Sequence, residues 1–292
     1  MKDIEFVDRY RVEDGSQFRL RDFDPADTQD MDLEKGEAKE LLAKGIKRLS
    51  ELQEKLYAQD CWAVLAVFQA MDAAGKDGAI KYAMSGINPQ GCQVHAFKAP
   101  SAEELDHDFL WRVARRLPER GRIGIFNRSH YEEVLVVRVR PEYLAAQRLP
   151  PRLNGGDIWK QRFEDIRNFE SYLARNGVAI CKFFLNVSKE EQKKRFLERI
   201  DDPAKNWKFN MGDVAERARW DEYMAAYEDV IRHTSAPHAP WYVLPADNKW
   251  FTRMAVVAAL IGTMERLNLA FPQLAPKATA ALQDARRALQ AE

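Results

Sequence analysis

The feature that most restricts the fold is a single stretch, Cys61 to Gly78. An apolar run, CWAVLAVF (Cys61 to Phe68), gives way to a glycine-containing loop, QAMDAAGKDG, and a helical pattern opens near Ala79. The run shows no polar–apolar alternation, so both of its faces must be covered. That is the mark of an inner strand in a parallel sheet. The same alternation of short apolar run and helix continues. Strands are expected at Gln93 to Phe97, Arg122 to Phe126 (RIGIF), Val178 to Leu185 (VAICKFFL) and Trp241 to Leu244 (WYVL). An amphipathic helix from about Asp32 to Ala58 carries Leu41, Leu42, Ile46, Leu49, Leu52, Leu56 and Tyr57 at three- and four-residue steps. Capping boxes at Ser101 with Glu104 and at Ser188 with Glu191 open helices to about Leu117 and Ile200. Further helical patterns cover Tyr131 to Val139, Trp159 to Arg175, Asp213 to Arg232 and Asn248 to Leu267. Strands alternating with helices predict an α/β fold: a parallel sheet sandwiched by helices.

Composition narrows the partners. The 45 basic and 45 acidic side chains cancel, so no bulk positive charge points to duplex nucleic acid. A polyanion would need a local cluster of cations. Apolar residues at 46% fit an ordinary globular chain rather than a disordered one. The three cysteines, Cys61, Cys92 and Cys181, lie far apart, with neither a zinc spacing nor a disulfide framework. With no apolar core in MKDIEFVDRY, the expected compartment is the reducing cytoplasm, and Met254 to Met264 is too short to span a bilayer. The expected organisation is a polar, irregular segment at 1–31, one domain at 32–274 with an inserted lid at about 188–213, and a peripheral tail at 275–292.

The loop after the first strand has the context of a P-loop, in which backbone N–H groups at a helix start face a phosphate and a lysine reaches it. Its match to GxxxxGKS/T is partial. Ala70 stands for the first glycine, and Asp77 for the hydroxyl residue that touches magnesium. Taken alone, GKDG also suits a plain strand-to-helix turn. Asp72 is the loop carboxylate best placed to face a metal, or else a turn aspartate. The third strand ends in Asn127-Arg128, on the same sheet edge as this loop. Arg128 reads as a clamp on a transferring phosphoryl group or as a structural ion pair. Asn127 replaces the acid of a Walker B strand and would meet a metal through its carbonyl or through water. Arg112, Arg115 and Arg116 share one helix face, a polyanion patch or a solvated surface. In the insert, Lys205-Asn206-Trp207-Lys208 suits a mobile lid that touches phosphate or base, or a surface loop anchored by Trp207.

Longer motifs are more specific than GKDG. QAMDAAGKDGAIKYAMSGINPQG, HDFLWRV, IGIFNRSHYEEVLVVRV, FFLNVSKEEQKKRFLERI and APWYVLPADNKWFTR occur in order between about residues 30 and 268. Together they strongly resemble the polyphosphate kinase 2 family. The resemblance implies a P-loop kinase fold akin to thymidylate kinase with a helical lid, and magnesium-dependent, reversible phosphoryl transfer between inorganic polyphosphate and the adenine nucleotides AMP, ADP and ATP. It implies Asp72, Lys76, Asn127 and Arg128 as the catalytic set, with Asp72 on Mg2+. Phosphate and polyphosphate contacts are expected from Ala74, Gly75, Lys76, Asp77, Gly78, Lys81, Arg112, Arg195, Lys205 and Lys208. The acceptor nucleotide is expected at Asn127, Arg128 and Glu132. Asn127, where many members carry aspartate, resembles the class III subgroup that phosphorylates both AMP and ADP. No nucleic-acid or membrane partner is expected, and a homo-oligomer is left open. Two rival readings remain at this point: an ATP-dependent nucleoside monophosphate kinase, and a binding module without turnover.

Overall fold

The computed structural model describes residues 5–31, 33, 35–153, 155 and 157–292. Its elements in chain order are β1 (Arg11–Val12), α1 (Lys35–Gln59), β2 (Ala63–Gln69), α2 (Lys76–Ala83), β3 (Cys92–Ala96), α3 (Ala102–Leu105), α4 (Trp111–Ala114) and β4 (Ile123–Asn127). These are followed by α5 (Val136–Val139), α6 (Pro141–Ala146), α7 (Ile158–Arg175), β5 (Val178–Asn186), α8 (Lys189–Asp201), α9 (Met211–Ala218), α10 (Trp220–Thr234), β6 (Trp241–Pro245), α11 (Lys249–Glu265) and α12 (Pro276–Gln290). The six strands form one sheet in the order β1-β6-β5-β2-β4-β3, parallel throughout except for β1. The expected α/β sandwich is therefore found, with the five expected strands displaced by no more than two residues at their ends.

Every residue of β2 is buried, as the unbroken apolar run requires of a strand with neighbours on both sides and helices on both faces. Side chains of β5 alternate between the layers. Phe184 stacks on Tyr227 of α10, whereas Cys181 meets Thr263 of α11. Lys182, in the middle of this apolar strand, is fully buried. Its ammonium donates to Glu170 Oε2 (2.6 Å), the Thr234 carbonyl (2.7 Å) and Tyr131 Oη (3.0 Å), using all three hydrogens. Full pairing is what makes a buried charge tolerable here.

Several expectations change. Within the segment expected to be irregular, β1 pairs antiparallel with β6, and Val7, Tyr10, Val12 and Phe18 are buried in the main core. Two residues are too few to give a readable strand period, and the buried side chains sit among charged ones. The expected helix from Ser101 to Leu117 is two short helices, and Tyr131 to Val139 is a 3-10 turn (His130–Val134) followed by α5. The helix expected from Asp213 to Arg232 is divided at Arg219 into α9 and α10. The expected start of the first helix, near Asp32, lies outside the described residues. The Ser101–Glu104 capping box is complete. At Ser188 only half of the box forms: Ser188 Oγ accepts from Glu191 N (3.1 Å), but Ser188 N donates to Asp247 (2.8 Å), leaving Glu191 free to bind Arg195. Described side chains of the tail helix α12 are all exposed. Among the described residues no helix is long and apolar enough to cross a membrane.

Candidate active site

The sheet topology fixes where ligands can bind. β2 lies between β4 and β5, and Phe68 of β2 stands opposite Asn127 of β4. The loop after β2 and the turn after β4 therefore leave the sheet side by side, at the carboxyl ends of parallel strands. Arg128 N closes this edge by donating to the Phe68 carbonyl (3.0 Å). Both segments hold non-glycine residues in the left-handed region, Ala73 at φ 61° and Arg128 at φ 62°. Such conformations persist only where the surroundings impose them, and they gather at binding sites. Gly75, at φ 107°, makes the turn into α2.

A cleft of about 860 Å³ opens above these segments, lined by the loop from Asp72 to Gly78, by Asn127 and Arg128, and by side chains of the segment expected as a lid, from Arg195 to Asp213. Eight of its lining side chains are cationic and four are acidic, in a chain whose charges cancel overall. The cleft is thus a local anion site. Lys76 opens α2, where the first N–H groups of a helix have no intrahelical partners. The residue is only 9% exposed, and its ammonium donates to the Ala70 carbonyl (2.7 Å). Burial first, then the nearby Arg128 charge, lowers its pKa from 10.5 to about 8. Arg128 donates to Asp72 Oδ1 (2.8 Å) and lies 3.5 Å from Glu132 Oε2, and Glu132 in turn accepts from buried Gln69 (2.8 Å). Asn127 Nδ2 donates to Asp77 Oδ1 (2.8 Å). Arg128 is therefore held by two carboxylates beside the loop lysine.

The structure brings Asp72, Ala74, Gly75, Lys76, Asp77, Gly78, Asn127, Arg128, Lys205 and Lys208 together along this cleft. Glu132 stands behind Arg128. Lys81 does not line the cleft; it is exposed on α2. Arg112 is likewise spent elsewhere, on the Lys98 carbonyl (2.8 Å), on Glu104 (3.2 Å) and on the face of Phe97. Arg195 borders the cleft, yet each of its donors is engaged with protein. Trp207 is 78% exposed, with its Nε1 on the Ala204 carbonyl and Lys208 Nζ 5.0 Å from the ring centre.

Sequence reasoning missed Lys98 and Lys249, which stand just beyond the carboxyl ends of β3 and β6, and Asp213 at the lid's return. The strand-end rule alone would have pointed to both lysines. Arg199, one turn beyond Arg195, lines the cleft with its NH1 3.8 Å from Asp213. The Asp213 carboxyl is pushed up, by burial and then by the Asp72 charge. Among the described residues no group of three or more His, Cys, Asp or Glu side chains is arranged to hold a metal by itself. Of the four carboxylates lining the cleft, Asp77 accepts from Asn127 and Glu198 faces Lys249, whereas Asp72 and Asp213 lie close enough to repel each other; a hard cation such as Mg2+ is commonly held by one or two carboxylates with substrate phosphates completing its shell. The residues present fit that mode.

The family model for polyphosphate kinase 2 matches residues 32–272. The chain belongs to the polyphosphate kinase 2 family. It is 56% identical over 238 residues to the ADP-polyphosphate phosphotransferase of Rhodopseudomonas palustris, covering 81% of this chain and 82% of that protein. It is 47% identical over 265 residues to the AMP/ADP-polyphosphate phosphotransferase of Meiothermus ruber, covering 91% and 95%. The crystal structure of polyphosphate kinase 2 from Arthrobacter aurescens TC1 superposes with a TM-score of 0.84 at 41% identity, over 94% of this chain and 95% of that one.

Proposed function

We propose that this chain transfers phosphoryl groups from inorganic polyphosphate to ADP and to AMP, forming ATP and ADP, with Mg2+ as the cofactor. The observation that carries the reading is the juxtaposition of Lys76 and Arg128 across a cation-rich cleft at the strand ends, in a chain of this family. Donor and acceptor are both polyanions, so the main obstacle is repulsion, and catalysis reduces to positioning and charge neutralisation. Lys76 and the N–H groups at the start of α2 hold the terminal phosphate of the polymer. Arg128 releases a carboxylate partner to bind the transferring group. A terminal phosphate oxygen of the nucleotide attacks that phosphorus in line, the anhydride bond to the rest of the polymer breaks, and the shortened polymer keeps the departing oxygen. No protein nucleophile is required. Asp72 and Asp213 are the residues that would hold Mg2+, which supplies charge neutralisation between the two phosphate chains. Lys205, Lys208 and Arg199, on the lid wall, grip the polymer and close the cleft against water. One phosphoanhydride replaces another, so the reaction is reversible and its direction follows concentration.

Acceptor range is the finer part of the reading. The R. palustris relative is named for ADP and the M. ruber relative for AMP and ADP. Neutral Asn127, bonded to Asp77, leaves one negative charge fewer beside the phosphates than an aspartate would, which supports tolerance of the more anionic ADP alongside AMP. The test is AMP as sole acceptor with long-chain polyphosphate and Mg2+, adenylate kinase being blocked by an inhibitor. ADP followed by ATP is the expected result, and absence of ADP overturns the dual-acceptor reading.

A further inference from the structure

The carbonyl groups of three consecutive loop residues are taken by two side chains of one lid helix. Gln192 Nε2 donates to the Asp72 carbonyl (2.9 Å), and Arg195 NH1 donates to those of Ala73 (3.1 Å) and Ala74 (2.8 Å). Gln192 and Arg195 are one turn apart on α8 and only 1% and 4% exposed. A guanidinium has five N–H bonds. The remaining three of Arg195 go to the carbonyls of Ala246 (2.7 Å) and Asp247 (3.0 Å) and to Glu191 Oε1 (2.8 Å). No donor is left for a substrate. The Gln192 amide oxygen accepts in turn from Arg217 NH1 (2.9 Å), on the returning helix α9, and the same nitrogen donates to the Lys189 carbonyl (2.6 Å).

We propose that Gln192 and Arg195 are positioning residues that hold the phosphate loop in its anion-receptive form, and that Arg217 couples this hold to the lid. A trans peptide is planar, so fixing one carbonyl fixes the next N–H in the opposite direction. Holding the carbonyls of Asp72 and Ala74 turns the N–H groups of Ala73 and Gly75 away from α8. The Ala74 N–H is spent on the Met71 carbonyl (3.3 Å). The grip on its own carbonyl also explains how Ala73 persists at φ 61°. The inference rests on the proposed transfer site, and it changes the role of Arg195 from a polymer contact to a brace beneath the loop.

Amide hydrogen exchange tests it without turnover, so its failure is separable from failure of the proposed reaction. Gln192→Glu keeps an acceptor for Arg217 but has no N–H for the Asp72 carbonyl. It and Gln192→Leu are expected to speed exchange in residues 70–78 about tenfold, roughly what one net buried hydrogen bond is worth. Exchange within β2 should stay at the parental rate, and Arg217→Met should shift 70–78 in the same direction by less. In turnover, Arg195→Lys keeps the charge but cannot span the five acceptors, so it should lose as much kcat as Arg195→Met. Parental exchange in Gln192→Glu would overturn the brace. So would an Arg195→Lys variant with near-parental kcat whose only defect is a higher KM for polyphosphate, because that is the signature of a direct contact. If Arg195→Met does not fold, the Gln192 pair alone decides.

Discussion

Replacing Lys76 by methionine is expected to abolish transfer and, at the same time, to stabilise the ligand-free protein. The lysine sits in a cation-rich cleft, beside Arg128, and burial and that charge bring its pKa from 10.5 to about 8. A depression of that size corresponds to about 3 kcal/mol of unfavourable charge in the folded state at neutral pH. Methionine removes the charge but forfeits the bond to the Ala70 carbonyl at 2.7 Å, worth about 1 kcal/mol. The net gain is about 1–2 kcal/mol, or an upward shift in Tm of a few degrees at about 2–4 °C per kcal/mol for a domain of this size. The sign with pH follows from the depressed folded-state value. The penalty is fully present below about 8 and fades as pH rises towards 10.5, where the unfolded lysine also loses its proton. The advantage of the variant should therefore be largest at pH 7 and shrink towards pH 10. Differential scanning calorimetry in a phosphate-free buffer, with and without polyphosphate, measures it. Polyphosphate should raise Tm of the parent more than that of the variant, which keeps Arg128, Arg199, Lys205 and Lys208. Catalysis should fall by about 10²-fold or more. A variant less stable than the parent at pH 7, or active within a few-fold of it, refutes the reasoning.

Asp72→Asn is expected to raise the Mg2+ concentration needed for half-maximal rate and to lower kcat, because it weakens both the metal-facing carboxylate and the 2.8 Å partner of Arg128; an unchanged magnesium titration would make Asp72 only a turn residue. Lys205→Ala and Lys208→Ala should raise KM for polyphosphate more than KM for nucleotide and flatten the salt dependence of the rate, since screened cation–polyanion contacts are lost; equal effects on both substrates would assign the segment to lid closure alone. Phe18→Ala should destabilise the domain by about 3–5 kcal/mol in chemical denaturation, because the residue is 5% exposed in the main core, and a change below 1 kcal/mol would show that the N-terminal segment contributes little to that core.

The sheet and the two cleft segments were legible because their signals are local. An unbroken apolar run, a glycine turn and a helix start are consecutive in sequence, and NRSHYE follows its strand directly. The pairings that hold these segments in place were not legible. Arg128 with Asp72 and Gln192 with the Asp72 carbonyl join residues 56 and 120 positions apart. Arg112 and Arg195 show the difficulty: an arginine that binds phosphate and one that binds carbonyls have the same letter, and only the geometry of the acceptors separates them. Lys182 posed the same problem in reverse, a charge inside an apolar run whose partner Glu170 belongs to another element. The strand in the N-terminal segment is not legible because two residues of edge strand carry no periodicity, and its pairing depends on β6, over two hundred residues away in the chain.

Phosphorus NMR of the purified chain with ADP, long-chain polyphosphate and Mg2+ tests the central claim most directly, because it follows donor and product in one sample. The account predicts that one internal polyphosphate phosphorus is lost for each ATP formed, that the polymer shortens without release of free phosphate, and that adding excess ATP to short polymer drives the reaction backwards. Unchanged polyphosphate in a sample that readily phosphorylates AMP from ATP would contradict it and identify a nucleotide-dependent kinase on the same fold.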